Sequence, residues 1–66
     1  MHRKLINAIH ARRCLAYWDD DRPWLWLEAD GVCEAHGSDE EGFDLLLYAL
    51  RIHGIVIHPG KPYTDF

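Results

Sequence analysis

The side chains best suited to chemistry are five histidines and two cysteines, the residue types that most often bind zinc. His10 and Cys14 are four residues apart, and Cys33 and His36 are three apart. Structural zinc sites usually contain two cysteines separated by two residues, and the sequence has no such pair of cysteines. On one strand, Cys33 and His36 would also point to opposite faces. We therefore predict no metal site and no cofactor. Two cysteines are too few for a disulfide scaffold, so we also predict reduced thiols.

Asp19, Asp20 and Asp21 form the densest acidic run. Carboxylate oxygens suit a hard cation such as magnesium, but one local run without further ligands is more typical of a solvated turn. Neither cysteine lies in a nucleophile elbow, and no glycine-rich loop could cradle a phosphate. A chain of 66 residues also offers little room for a catalytic cleft. The sequence therefore predicts that the protein is not an enzyme.

The three tryptophans, Trp18, Trp24 and Trp26, are the other candidates for a functional role. Tryptophans stack bases in single-strand nucleic-acid binders, but such sites also need a basic groove, and the neighbours here are acidic. Tryptophans are also frequent hot spots of protein interfaces. We predict that Trp26 packs in the core and that Trp18 and Trp24, beside the acidic loop, are partner-binding anchors.

Helices and strands must position these side chains. Apolar residues at helical spacing predict an amphipathic helix over residues 2–13. Period-two alternation predicts a strand at 24–29, with neighbours at 14–18 and 32–36. The connections are a five-residue loop and a two-residue Asp30-Gly31 hairpin turn. Symmetric pairing about the first loop places Trp18 opposite Trp24, so the expectation is that all three tryptophans share one face, and the second hairpin places Trp26 opposite Ala35.

A second helix is predicted over residues 38–54. Ser38 and Glu41 have the spacing of a capping box, and Gly54 suits the left-handed position after a helix end. The apolar side chains of this helix cover more than half of its circumference, more than one sheet face can bury. The helix therefore lies between the sheet and the first helix, or it leaves a self-interface for another chain, formed by Leu45, Tyr48 and Ile52.

Residues 55–57 are interpreted as a short buried strand, and residues 59–66 as a loosely ordered tail. The order α-β-β-β-α-β predicts one α+β domain over residues 1–66, in which two helices pack on an antiparallel three-stranded meander with a short fourth strand. This topology resembles the double-stranded RNA-binding domain, whose second helix begins with phosphate-binding lysines. The corresponding positions here are Asp39, Glu40 and Glu41. The resemblance therefore implies a shared shape and not RNA binding.

The net charge of -4 is unevenly distributed. Residues 1–13 carry four basic side chains and no acid, whereas residues 19–44 carry ten acids and one arginine. Such an acidic body favours a basic partner surface. The sequence contains no run approaching the roughly 20 apolar residues that span a bilayer, and its start lacks the features of a signal peptide. We expect a cytoplasmic protein with no membrane partner.

The leading hypothesis is a small acidic protein-interaction module that occupies a basic, nucleic-acid-binding surface of a larger protein, because spaced carboxylates can imitate a phosphate backbone. Small acidic proteins of this kind resemble the inhibitors that phages direct against host defence, including CRISPR effectors. The predicted partner-binding residues are Trp18, Trp24, Asp19, Asp20, Asp21, Asp39, Glu40 and Glu41. One alternative is a nucleic-acid-binding or transcription-regulatory module that uses Arg3, Lys4, Arg12 and Arg13. Another is a structural subunit that forms a homodimer.

Overall fold

The computed structural model describes residues 1–60 and shows an α+β fold of two helices and one four-stranded sheet. In chain order the elements are α1 (Arg3–His10), β1 (Leu15–Asp19), β2 (Trp24–Ala29), β3 (Val32–Gly37), α2 (Phe43–Ile52) and β4 (Ile57–Pro59). The strand order is β3-β2-β1-β4, antiparallel except where β4 runs parallel to β1. The predicted fold class and element order are confirmed. Neither helix within residues 1–60 is long and apolar enough to cross a membrane.

The core lies between the two helices and one face of the sheet. Alternation along β2 turns Leu25 and Leu27 to this face, where both are fully buried. Leu5 of α1 and Leu50 of α2 are fully buried in the same cluster. The opposite face of the sheet, which these helices leave uncovered, is called the open face below.

The pairing of β1 with β2 differs from the prediction by one residue. Asp19, predicted as loop, ends β1 and pairs with Trp24, whereas Trp18 pairs with Leu25. Because side chains alternate along a strand, this slip moves Trp18 to the helix-covered face, where its ring centroid lies 6.3 Å from that of Phe43. The predicted face of three tryptophans is therefore wrong. The prediction that Trp26 packs in the core is also wrong, because Trp26 lies half-buried on the open face, whereas Trp18 packs against the core cluster. The predicted pairing of β2 with β3 is confirmed.

The start of α2 also differs from the prediction. The helix begins at Phe43 after Gly42, which has a φ of +85° and makes no side-chain cap. The predicted capping box is wrong because the Ser38 N–H donates instead to the carbonyl of Pro23 at 2.9 Å. Residues 38–42 therefore form a loop that is tied to the loop before β2.

Both helices end with a residue in the left-handed conformation. Gly54 fills this position after α2 as predicted, with a φ of +72°, and the Ile55 N–H donates to the Leu50 carbonyl at 2.9 Å. Helix α1 ends at His10 rather than at residue 13, and the equivalent residue is Arg12, with a φ of +61°. A side chain in this conformation carries a strain of roughly 1–2 kcal/mol.

Strand β4 begins two residues later than predicted. It spans Ile57–Pro59, and all three residues are exposed, so the prediction of a buried strand is wrong. Pro59, assigned to the tail in the prediction, pairs with Trp18, and the Gly60 N–H donates to the Trp18 carbonyl at 2.8 Å. Proline is tolerated here because β4 is an edge strand. The rest of the predicted tail, residues 61–66, lies outside the described residues.

Candidate functional site

Two acidic loops that are separate in the sequence meet at one end of the sheet. Trp24, the first residue of β2, pairs with Gly37, the last residue of β3. The hydrogen bond from Ser38 to Pro23 then joins loop 38–42 to loop 20–23. Five exposed acids result from this junction, and together they are called the acidic end: Asp20, Asp21, Asp39, Glu40 and Glu41.

Asp19, the first acid of the predicted run, is an internal support of the acidic end and not part of its surface. It is 2% exposed. Its Oδ2 accepts a hydrogen bond from the Trp26 Nε1–H at 3.3 Å, and its Oδ1 accepts from the Asp21 N–H at 3.0 Å. The second bond is an Asx turn, which fixes the path of the loop. Trp18, another predicted partner-binding residue, lies on the helix-covered face. Neither Asp19 nor Trp18 is therefore part of the acidic end.

Trp24 is the aromatic side chain that borders the acidic end. It lies half-buried on the open face, and its ring meets that of Trp26 edge to face at 5.9 Å. The Arg22 guanidinium carbon lies 5.0 Å from the Trp24 ring centroid, a cation–π contact. A Cβ added at Gly37 would lie 3.7 Å from Trp24 and 2.8 Å from the Asp39 carboxylate, which places indole and acid side by side. An indole flanked by acids suits a guanidinium or an ammonium group.

The open face carries two further rings that the sequence did not single out. Tyr17 pairs with Trp26 across the strands, and its ring centroid lies 5.6 Å from that of His58 on β4. On the other side, Trp26 pairs with the small residue Ala35. The sequence analysis missed Tyr17 because it predicted the pairing of β1 with β2 one residue out of register, which assigns Tyr17 to the opposite face. It missed His58 because β4 begins later than predicted.

Glu40 and His36 connect the acidic end to the sheet. The His36 Nδ1 lies 2.9 Å from the Glu40 Oε1, and its Nε2 lies 3.0 Å from the Glu34 Oε1. Each ring nitrogen of His36 therefore has a carboxylate oxygen within hydrogen-bond distance. The hydrogen bond from His36 holds the pKa of Glu40 below its usual value. Within residues 1–60, no group of three His, Cys, Asp or Glu side chains is arranged to hold a metal ion.

The four basic residues of the nucleic-acid-binding alternative lie in α1 or just after it, and one of them, Arg13, forms an ion pair. The Arg13 Nη1 donates to the Asp30 Oδ1 at 2.6 Å, at the end of β2 far from the acidic end. This bond lowers the pKa of Asp30 and raises that of Arg13. Arg3 and Lys4 lie in the first turn of α1, and Arg12 follows its end. The helix is about 12 Å long, so the four charges form two separate pairs. Nucleic-acid binding through them stays a prediction.

The outer surface of α2 is apolar. Leu45 is 74% exposed, Tyr48 62% and Ile52 56%. These three side chains, called the α2 ridge below, point away from the core residues Phe43 and Leu50 of the same helix. The structure therefore places the predicted self-interface on the surface, where a second chain can reach it.

Fold and surface define a small α+β protein with a segregated acidic end. Comparisons with protein-family models, with curated proteins and with solved structures found no match to this chain. The arrangement of charges and rings is therefore what supports a function.

Proposed function

We propose that the protein is a small acidic interaction module whose acidic end docks on a basic, nucleic-acid-binding surface of a larger protein and blocks it. The observation that carries the proposal is the convergence of loops 20–23 and 38–42 into one exposed acidic surface beside Trp24. The acids lie in two loops that are separate in the sequence, and the fold brings these loops together.

Charge and ring have complementary parts in this docking. Clustered carboxylates attract a basic surface over a distance set by the ionic strength, and they speed association more than they strengthen the final complex. Trp24 adds a contact that holds the complex, since indole rings are frequent hot spots of interfaces. The position of Arg22 over this ring indicates how a guanidinium of the partner can pack there.

Such a module acts as a competitor of nucleic acid. A protein that binds a phosphate backbone does so through lysines and arginines, and the carboxylates of the acidic end can occupy the same cations. This mode of action resembles that of the inhibitors that phages direct against host nucleic-acid machinery, including CRISPR effectors. We propose that the protein meets this partner in the cytoplasm.

Displacement of nucleic acid from a captured partner tests the proposal. Partners are captured from a lysate, eluted with salt and loaded with a fluorescent oligonucleotide, and the protein is then added. The wild-type chain should release the oligonucleotide, whereas the double variant Asp39→Asn/Glu41→Gln should release several-fold less. The matched control, Glu28→Gln/Asp30→Asn, removes the same charge at the other end of β2 and should act like the wild type. Equal loss in both variants, or no loss in either, would contradict docking through the acidic end.

A further inference from the structure

The α2 ridge has a line of three apolar side chains and a charged flank. Leu45, Tyr48 and Ile52 are spaced by three and four residues, so they follow one line along the helix. Single apolar side chains on a surface are ordinary, but three adjacent ones form a patch of the kind that marks an interaction site. On one flank of this line lie Asp44 and Arg51, and both are exposed.

The spacing of Asp44 and Arg51 makes this flank complementary to itself. Seven residues are nearly two helical turns, so the two charges point the same way and lie about 10 Å apart along the helix. Asp44 precedes Tyr48 by four residues, and Arg51 follows it by three. A two-fold axis perpendicular to the helix at Tyr48 reverses the helix direction and keeps the same flank on the same side. Asp44 of one copy is then level with Arg51 of the other to about 1.5 Å, one helical rise.

We infer that a second copy of this chain covers the α2 ridge, in a two-fold dimer with the two α2 helices antiparallel. Each ion pair occurs twice, as an isologous interface requires. Leu45 of one copy meets Ile52 of the other, and the two Tyr48 rings lie at the axis. In a parallel dimer the charged flank of one copy would lie against Ala49 of the other, so the ion pairs would not form. A different partner that carried only one sign of charge would pair with Asp44 or with Arg51, but not with both. This inference goes beyond the proposed function and does not depend on it.

The ridge is small, so the interface belongs to the low end of the range for specific complexes. We therefore expect a weak dimer that forms with rising concentration. In sedimentation equilibrium the apparent mass should rise from the 7.7 kDa of one chain towards twice that value. A mass that stays at one chain up to millimolar protein would overturn the inference.

Two charge-reversal variants test the antiparallel arrangement. Asp44→Arg gives each copy two positive charges on the flank, and Arg51→Asp gives two negative charges, so each variant alone should lose most of its self-association. An equal mixture should regain it as a heterodimer, because each charge then faces its opposite. If the mixture associates no better than the separate variants, the antiparallel pairing is wrong.

An apolar control separates the ridge from the open face. Leu45→Glu should leave a folded monomer, whereas Leu15→Glu, which changes a leucine that is 45% exposed on the open face, should keep the dimer. The reverse result would overturn the inference. Folding is checked through the thiols, since Cys14 is buried and Cys33 is exposed, so a folded variant shows one fast-reacting thiol. The double variant Asp39→Asn/Glu41→Gln should dimerise normally, so this inference and the proposed function fail separately.

Discussion

The two ends of the sheet use their acids in different ways. At the far end, Asp30 accepts a hydrogen bond from Arg13, and the pair holds the hairpin turn to the chain beyond α1. At the acidic end, Asp19 is buried as a support, whereas Asp20, Asp39 and Glu41 form no side-chain hydrogen bond or ion pair with any residue in 1–60. At the far end, the carboxylate of Asp30 therefore takes part in a contact within the fold. At the acidic end, three carboxylates make no such contact within residues 1–60. A concentration of like charge beyond structural need is expected at a binding surface.

Removal of the buried support should have the largest effect. Asp19→Ala leaves the Trp26 Nε1–H and the Asp21 N–H without their acceptor, which should lower the free energy of unfolding by about 2 kcal/mol. Asp30→Asn keeps a residue that tolerates the left-handed conformation of the turn and should have a smaller effect, because the pair with Arg13 is exposed. Urea denaturation measures both. Equal losses would contradict the distinction between the buried support and the exposed pair.

Substitution at the far end should stabilise the protein. Arg12→Gly removes the strain of a left-handed side chain after α1 and should raise the free energy of unfolding by about 1 kcal/mol. Asn7→Gly, in the exposed middle of the same helix, is the matched control and should lower it, because glycine disfavours a helix interior. Urea denaturation of the two variants should therefore give opposite signs. A loss of stability in Arg12→Gly would mean that its side chain supports the fold.

Neutralisation of the exposed acids should hardly affect stability. Asp20→Asn, Asp39→Asn and Glu41→Gln should each change the free energy of unfolding by less than about 0.5 kcal/mol, as surface substitutions usually do. Combined in one variant, they should leave the thermal midpoint close to that of the wild type while binding to a basic partner is lost. A large fall in the midpoint would show that the fold needs these acids.

Acid should weaken the protein through Glu40 and Asp30. Hydrogen bonds from His36 and Arg13 lower the pKa values of these carboxyl groups in the folded state. Their contribution to stability is therefore complete above the pKa values of the unfolded chain, near 4, and is lost as the pH falls through the lower folded values. Glu40→Gln should reduce the slope of stability against pH in this acid range. An unchanged slope would contradict the assignment to Glu40.

Local signals predicted much of the fold. The two-residue turn at Asp30-Gly31 fixes the register of β2 and β3, and Gly54 marks the end of α2, because both depend on backbone conformations that few residues adopt. The boundaries that failed depend on distant partners. Asp19 belongs to β1 because its carboxylate accepts a hydrogen bond from the Trp26 indole. Ser38 does not cap α2 because its N–H donates to the Pro23 carbonyl.

The candidate site was predicted in part for the same reason. The exposed acids of both loops were visible in the sequence, and so was Trp24. The side on which each ring lies was not, because a shift of one residue in β1 exchanges the faces of Trp18 and Tyr17. The loop between β1 and β2 has four residues and not five because Asp19 bonds to Trp26, a residue outside that loop.

Chemical-shift mapping tests the central claim that the acidic end is the docking surface. A ¹⁵N-labelled sample is titrated with an arginine-rich peptide at low salt, and the Trp24 indole N–H serves as a reporter. We predict that the largest shifts fall in residues 20–24 and 37–41, that they shrink as salt is added, and that Asp39→Asn/Glu41→Gln removes most of them. Shifts centred on α1 or on the α2 ridge, or shifts that persist in the double variant, would contradict it.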